Sequence, residues 1–145
     1  MTRLTALATF LLLFPLAAAA QGTPGSHFIE NWDLDENGSV SLDEITERRG
    51  DVFVMFDQDE NGSLDTVEYV LFDETRAADM ENNASGHGKG GRRMQEGLTL
   101  AFNDTNADGE VSKKEFIAQS AAWMAQVDRD GDGAITAADF GPQGN

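Results

Sequence analysis

Side chains that carry oxygen recur at fixed intervals in four twelve-residue segments of this 145-residue chain. We name the segments loops one to four, and they span residues 33–44, 57–68, 104–115 and 128–139. Each has Asp or Asn at its first, third and fifth places, Gly sixth, an aliphatic residue eighth and a carboxylate twelfth. Oxygens at alternate places of a short loop can surround a hard divalent cation such as Ca²⁺, which takes roughly six to eight oxygen ligands. The spacing therefore predicts four cation sites.

Cation chemistry explains each place of the loops. The glycine permits a sharp turn that a Cβ atom would obstruct. The seventh residue offers its backbone carbonyl, so its side chain can vary, and the ninth acts through a water molecule. The twelfth residue reaches back from the start of the next helix, and Glu gives both oxygens. The predicted metal ligands are Asp33, Asp35, Asn37, Ser39, Ser41, Glu44, Asp57, Asp59, Asn61, Ser63, Asp65, Glu68, Asp104, Asn106, Asp108, Glu110, Ser112, Glu115, Asp128, Asp130, Asp132, Ala134, Thr136 and Asp139.

Loop four departs from the pattern at its last place. Asp139 is one methylene shorter than the Glu of the other loops, and a shorter arm often offers one oxygen, which suits the smaller Mg²⁺. Gly141-Pro142 follows almost at once, so the outgoing helix is expected to be missing or a single turn. We expect the fourth site to be the weakest or the least selective for Ca²⁺.

The elements between the loops set how the loops meet. Loops one and two, and likewise loops three and four, are separated by only 12 residues. Apolar side chains at helical spacing predict one helix over residues 116–127 and another between loops one and two, with Gly50 as a possible break. A straight helix of that length holds its ends about 18 Å apart. Loops that are neighbours in the chain therefore cannot pair edge to edge.

The wider gap from Glu68 to Asp104 has room for two helices, over about residues 69–80 and 94–102. We therefore expect loop two to pair with loop three, and loop four with loop one. The contacts that test this topology join the aliphatic eighth-place residues, Leu64 with Val111 and Val40 with Ile135.

The chain divides into four segments. Residues 1–20 have a positive start, an apolar run of 13 residues and a small-residue end, so we predict a signal peptide cleaved near Ala20. Residues 21–81 hold loops one and two, residues 82–93 form a Gly-rich linker, and residues 94–145 hold loops three and four. His87 in the linker is expected to be solvated rather than a ligand. The aromatic side chains just before the loops are expected to form core rather than an exposed groove.

The loops resemble the EF-hand calcium loop, and the chain is similar to small secreted bacterial EF-hand proteins. The resemblance covers nearly all of the chain after residue 20. It implies an all-α fold of helix–loop–helix repeats with short loop-pairing strands, in which closely spaced loops share connecting helices. It also implies binding of up to four Ca²⁺, and the predicted signal peptide indicates a periplasmic or secreted protein. It does not imply one physiological role.

Composition narrows the function classes. The chain has 26 acidic and 10 basic side chains, a net charge of −16, which argues against nucleic acid and anionic lipid as partners. It has no cysteine, and no histidine stands beside a nucleophile, so we expect no enzyme. Three binding functions remain: a calcium buffer or calcium-stabilised protein, a calcium-responsive sensor or adaptor with an envelope partner, and an inhibitor or chaperone-like subunit that uses its acidic surface. Extracellular modules of this kind bind Ca²⁺ at about 10⁻⁴–10⁻³ M.

Overall fold

The computed structural model of the protein describes residues 23–84 and 90–141. The predicted signal peptide and His87 lie outside the described residues. Helices make up most of the described chain, and their bounds are α1 Ser26–Trp32, α2 Leu42–Phe56, α3 Thr66–Asn82, α4 Gly91–Glu96, α5 Leu100–Asn103, α6 Lys113–Ala118 and α7 Ser120–Val127. The strands are β1 Ser63–Leu64 and β2 Val111–Ser112, and a 3-10 turn covers Ala137–Asp139. The all-α prediction is confirmed. Among the described helices, none is both long and apolar enough to cross a membrane.

Each loop ends in a capping box that starts the element after it. The side chain at the ninth place accepts a backbone N–H from the first turn, and the carboxylate at the twelfth place reaches back to the ninth-place amide. Such caps satisfy amide groups that would otherwise lack partners, and each is worth about 1 kcal/mol. The pairs are Ser41 with Glu44, Asp65 with Glu68, Ser112 with Glu115, and Thr136 with Asp139. Predicted metal ligands therefore also fix where each element begins.

The loops pair across the chain order. Strands β1 and β2 are antiparallel, with Leu64 opposite Val111. Val40 and Ile135 form a second antiparallel bridge, with N–H···O distances of 2.8 and 2.9 Å. All four side chains are fully buried. Both predicted contacts are confirmed, so loop two pairs with loop three and loop one with loop four.

Aromatic rings occupy much of the core. Phe28 stacks on Trp32 with centroids 5.5 Å apart, and Trp32 lies 4.6 Å from Trp123. Phe56 lies 4.6 Å from Phe72 in the same core cluster. The expectation that the aromatic residues before the loops are core is confirmed for Phe28, Trp32, Phe53, Phe56 and Trp123, and Phe102 is half-buried against them.

The prediction of one helix over residues 116–127 is wrong. The segment forms α6 and α7, separated by Gln119 with ψ 0°. In a continuous helix the carbonyl of Phe116 would accept the amide of Ser120. Here that carbonyl accepts Nη2 and Nε of Arg49, at 2.6 and 3.1 Å. A contact from another helix therefore occupies the acceptor at the point where the helix breaks.

The prediction of one helix over residues 94–102 is also wrong, because α4 and α5 are separated by three residues beginning with Gly97. A Cβ atom at Gly97 would overlap the indole of Trp123, so the backbone passes close to that ring. Thr99 then caps α5 by accepting one of its amides at 3.3 Å. Helix α2, by contrast, continues through Gly50.

Candidate metal sites

The sixth-place glycine makes the same turn in all four loops. Its φ lies between 85° and 89° in each, in the left-handed region that favours glycine. Its amide donates to the first-place aspartate at 2.7–3.0 Å, which closes the loop around its own carboxylate. The four pairs are Gly38 with Asp33, Gly62 with Asp57, Gly109 with Asp104, and Gly133 with Asp128. The four loops therefore share one backbone conformation at this turn.

The twelfth-place carboxylate spans its loop with both oxygens. In loop one, Oε1 of Glu44 accepts the amide of Leu34 at 2.8 Å, and Oε2 accepts the amide of Ser41 at 2.8 Å. Loop two repeats this with Glu68, whose oxygens accept the amides of Gln58 at 2.7 Å and Asp65 at 3.0 Å. Each carboxylate is thereby aimed into the loop, where it can meet a cation.

In loops one and three, hydrogen bonds lower the pKa of the twelfth-place carboxyl. In loop three, bonds from the hydroxyl and amide of Ser112 lower the pKa of Glu115 to about 2, assisted by Thr105 and Asn106. In loop one, burial raises the pKa of Glu44, but hydrogen bonds from Ser41 and from the amides after Asp33 outweigh burial and leave that pKa below its usual value. A charged carboxylate is the form that binds a metal.

Three of the loops gather carboxylates closely. Their first, third and twelfth places bring carboxylate oxygens within 4.8 Å of one another. These groups are Asp33 with Asp35 and Glu44, Asp57 with Asp59 and Glu68, and Asp128 with Asp130 and Asp139. In loop three the third place is Asn106, whose Nδ2 donates to Asp108 at 2.8 Å. Oxygen-only donor sets of this kind fit a hard cation.

Neighbouring carboxylates in loop four repel one another. The amide of Asp132 donates to Asp130 and lowers the pKa of that carboxyl. Desolvation and the charges of Asp132, Asp139 and Asp128 outweigh this bond, so the pKa of Asp130 is raised overall. A divalent cation in the loop would relieve this repulsion.

The shorter arm of loop four reaches the same partners as the longer arms elsewhere. Asp139 accepts the amides of Arg129 at 2.7 Å and Thr136 at 2.8 Å. It does so from a 3-10 turn, so the expectation that the outgoing helix is missing or a single turn is confirmed. Arg129 also donates to the carbonyls of Asp139 and Gly141, which holds the end of the loop in place.

Below loop three lies a buried polar network that the sequence analysis missed. The guanidinium of Arg49 donates to Oδ1 of Asn103 at 2.6 Å, and Nδ2 of Asn103 donates to the hydroxyl of Tyr69 at 3.3 Å. Burial lowers the pKa of Arg49 to about 10 and raises that of Tyr69 to about 12. A signal was present, because Arg49 stands on the helical face defined by Ile45, Phe53 and Phe56, where an apolar residue is expected.

Two segments of the chain match a family model described as EF hand, residues 101–118 and 121–141. They contain loops three and four with the elements that flank them. No curated protein matches the chain. Loops one and two lie outside the matched segments, yet they share the glycine turn and the bracing carboxylate of the matched loops. The helix–loop–helix repeats and the matches together establish an all-α EF-hand fold, and the acidic groups fit metal binding.

Proposed function

We propose that this protein binds Ca²⁺ in all four loops and acts as an exported calcium buffer or calcium-stabilised protein. One observation carries the proposal: in every loop the sixth-place glycine amide donates to the first-place aspartate, and the ninth-place amide donates to the twelfth-place carboxylate. The 24 ligands remain a prediction, as do the number of ions and the expectation that site four is the weakest or the least selective for Ca²⁺.

Electrostatics supports a calcium-dependent fold. Eighteen of the 26 acidic side chains lie within the four loops. Without cations these charges repel one another, and four bound Ca²⁺ would cancel eight of them. Since the loop carboxylates also cap the outgoing elements, relief of this repulsion stabilises the helices that form the core.

A calorimetric Ca²⁺ titration of residues 21–145, with helicity followed before and after chelation, tests the proposal. We expect four bound ions, dissociation constants near or somewhat tighter than about 10⁻⁴–10⁻³ M, and a loss of helicity on chelation. The variant Glu44→Gln is expected to bind three ions. Its matched control is Asp43→Asn, which removes the same charge from an exposed neighbour outside the ligand set. No Ca²⁺ binding, or equal behaviour of the two variants, would contradict the proposal.

Export is the second part of the proposal, and it rests on the order of charge, apolar run and small residues in segment 1–20. Expression of the full chain in a bacterium, with mass spectrometry of the periplasmic and external fractions, tests it. We expect a polypeptide that starts near Gln21. A chain that keeps Met1 and stays in the cytoplasm would refute it.

A calcium-responsive sensor is a second candidate, because apolar side chains are exposed on neighbouring helices. On α2, Val54 and Met55 are 61% and 67% exposed, and on α3, Val67, Val70 and Leu71 are also exposed. A rise in hydrophobic dye binding on addition of Ca²⁺, at constant helicity, would favour the sensor over the buffer. The inhibitor or chaperone-like alternative predicts partner binding that survives chelation and weakens with salt. No part of the proposal assigns catalysis to the chain.

A further inference from the structure

Arg49 is a fully buried cation in the middle of α2. Its guanidinium stacks over the ring of Phe116, with Cζ 4.0 Å from the centroid. Within residues 23–84 and 90–141, its hydrogen bonds go to the carbonyls of Phe116 and Gly97 and to the side-chain oxygen of Asn103. None of these acceptors is a carboxylate. A buried arginine is costly unless its donors are satisfied, and these contacts use both Nη atoms and Nε.

Two of these acceptors sit at the two ends of loop three. Asn103 comes directly before Asp104, the first predicted ligand of the loop, and Phe116 directly follows Glu115, the last. The distances from Nη2 to Oδ1 of Asn103 and to the carbonyl of Phe116 are both 2.6 Å. One nitrogen atom on α2 therefore ties together the residues that flank the loop. The ends of a metal loop must be held close for its first and last ligands to meet one ion.

Asn103 is itself fixed on several sides. It is fully buried, and its Nδ2 donates to the carbonyls of Thr99 at 2.8 Å and Gly97 at 3.2 Å. The bond from Arg49 to Oδ1 completes the set, so the residue before the first ligand cannot rotate without breaking these bonds. The other three loops have apolar residues at this place: Trp32, Phe56 and Val127. Among the four loops, all of them within the part of the chain that the structure describes, only loop three is therefore preceded by a residue whose side chain is held by buried hydrogen bonds.

We propose that Arg49 is a positioning residue for the third metal site, which sets its affinity without contacting the ion. This inference rests on the proposed calcium binding. Residues that orient metal ligands without touching the metal typically contribute 10- to 100-fold in affinity. A positive charge near a cation site would by itself weaken binding, so charge and positioning predict opposite effects when Arg49 is replaced.

The variant Arg49→Lys separates the two effects, because it keeps the charge and replaces the planar array of Nε, Nη1 and Nη2 by a single nitrogen on a shorter side chain. The matched control is Arg48→Lys, the same substitution one residue away in a half-buried side chain that bonds the carbonyl of Asn31. The four loop glycines report on the sites separately, since each amide bonds the first ligand of its own loop. Their amide signals are followed by NMR during Ca²⁺ titration of residues 21–145.

In Arg49→Lys we expect the midpoint of the Ca²⁺ titration, followed at the Gly109 amide, to move to about tenfold higher Ca²⁺ concentration. The Gly38 and Gly133 transitions are expected to stay within about twofold of the unsubstituted protein, and Arg48→Lys to move none of them. Asn103→Ala removes one acceptor and keeps the arginine, so the proposal stays testable where Arg49→Lys does not fold. This variant is also expected to raise the Ca²⁺ concentration at which the Gly109 amide titrates.

Two results would overturn the proposal. If Gly109 titrates as in the unsubstituted protein in the folded variants, Arg49 does not position the site. If all four glycines move together, Arg49 has only a general role in stability. A different failure, in which no glycine of the unsubstituted protein responds to Ca²⁺, would refute calcium binding itself. The outcomes for the two proposals are therefore distinct.

Discussion

The two loop pairs are held by different chemistry. Beneath loops two and three lie the hydrogen-bonded side chains of Arg49, Asn103 and Tyr69, all buried. Beneath loops one and four lies a cluster of aromatic rings, in which Phe28 is 5.3 Å from Phe140 and 6.0 Å from Trp123. Aromatic rings also pack beneath loops two and three, so the buried hydrogen-bond network around the arginine is what distinguishes that pair.

The backbone shows the same contrast. Loops two and three pair two residues on each side through β1 and β2, with a further bond from the amide of Lys113 to the carbonyl of Gly62 at 3.1 Å. Loops one and four meet at the single bridge between Val40 and Ile135. Loop two is followed by the 17-residue helix α3, whereas loop four is followed only by a 3-10 turn. The one–four pair therefore depends more on packing by its neighbours.

Phe140→Ala gives the largest expected effect. The ring is fully buried, and a Cβ atom at Gly25 or Gly90 would overlap it, so the ring fills a slot between two glycines. Truncating a buried phenylalanine costs about 3–5 kcal/mol, because it loses apolar burial and leaves a cavity. Urea denaturation of the calcium-saturated protein measures the loss in free energy of unfolding.

Two controls sharpen this prediction. Leu71→Ala removes an exposed side chain and is expected to stay within about 0.5 kcal/mol of the unsubstituted protein. Tyr69→Phe removes one hydroxyl from the polar network below the two–three pair, and we expect a cost of about 0.5–1.5 kcal/mol. If Tyr69→Phe costs as much as Phe140→Ala, the contrast between the two loop pairs is wrong.

The next largest effect is expected from coupling between the metal sites of two paired loops. Glu68→Gln removes the charge and one of the two oxygens of the last ligand of loop two. The paired strands are expected to pass the change to loop three. Coupling energies between sites are typically 1–3 kcal/mol. In the titration followed by glycine amides, Gly109 should move to higher Ca²⁺ concentration, while Gly38 and Gly133 should move little.

The mirror variant Glu44→Gln should act on Gly133 in loop four, and by less, because a single bridge joins loops one and four. The controls are again the glycines of the other pair. A shift of Gly38 in Glu68→Gln, equal to or larger than that of Gly109, would show that neighbours in the chain, and not the paired strands, carry the coupling.

Spacing in the sequence predicts the pairing of the loops because the geometry leaves few choices. A 12-residue helical connection cannot bring two loops edge to edge, so the loops pair with more distant partners: Leu64 lies opposite Val111, and Val40 opposite Ile135. The geometry of each cation-binding loop is local as well, since a glycine with positive φ and a carboxylate six places later need no distant partner. These features follow from short-range rules.

The breaks in the helices depend on distant partners and escape such rules. The chain turns at Gln119, where the carbonyl of Phe116 is occupied by Arg49, which is 67 residues away. It turns again at Gly97 because the indole of Trp123 lies against the backbone there. Periodicity describes which face of a helix is apolar, and it carries no information on which carbonyl another helix will use.

The smallest expected effect concerns the shorter arm of loop four. Asp139→Glu adds the methylene that the other loops have, and we expect tighter Ca²⁺ binding at site four by about 1 kcal/mol and less competition from Mg²⁺. The gain is limited because Asp139 already reaches the amides of Arg129 and Thr136, so the longer arm requires the 3-10 turn to relax. The reciprocal change, Glu44→Asp in the paired loop, should weaken site one by a similar amount. Titration of Gly133 and Gly38 with Ca²⁺ at fixed Mg²⁺ measures both. If neither variant changes its own site, arm length does not set affinity here, and the 3-10 turn compensates fully for the missing methylene.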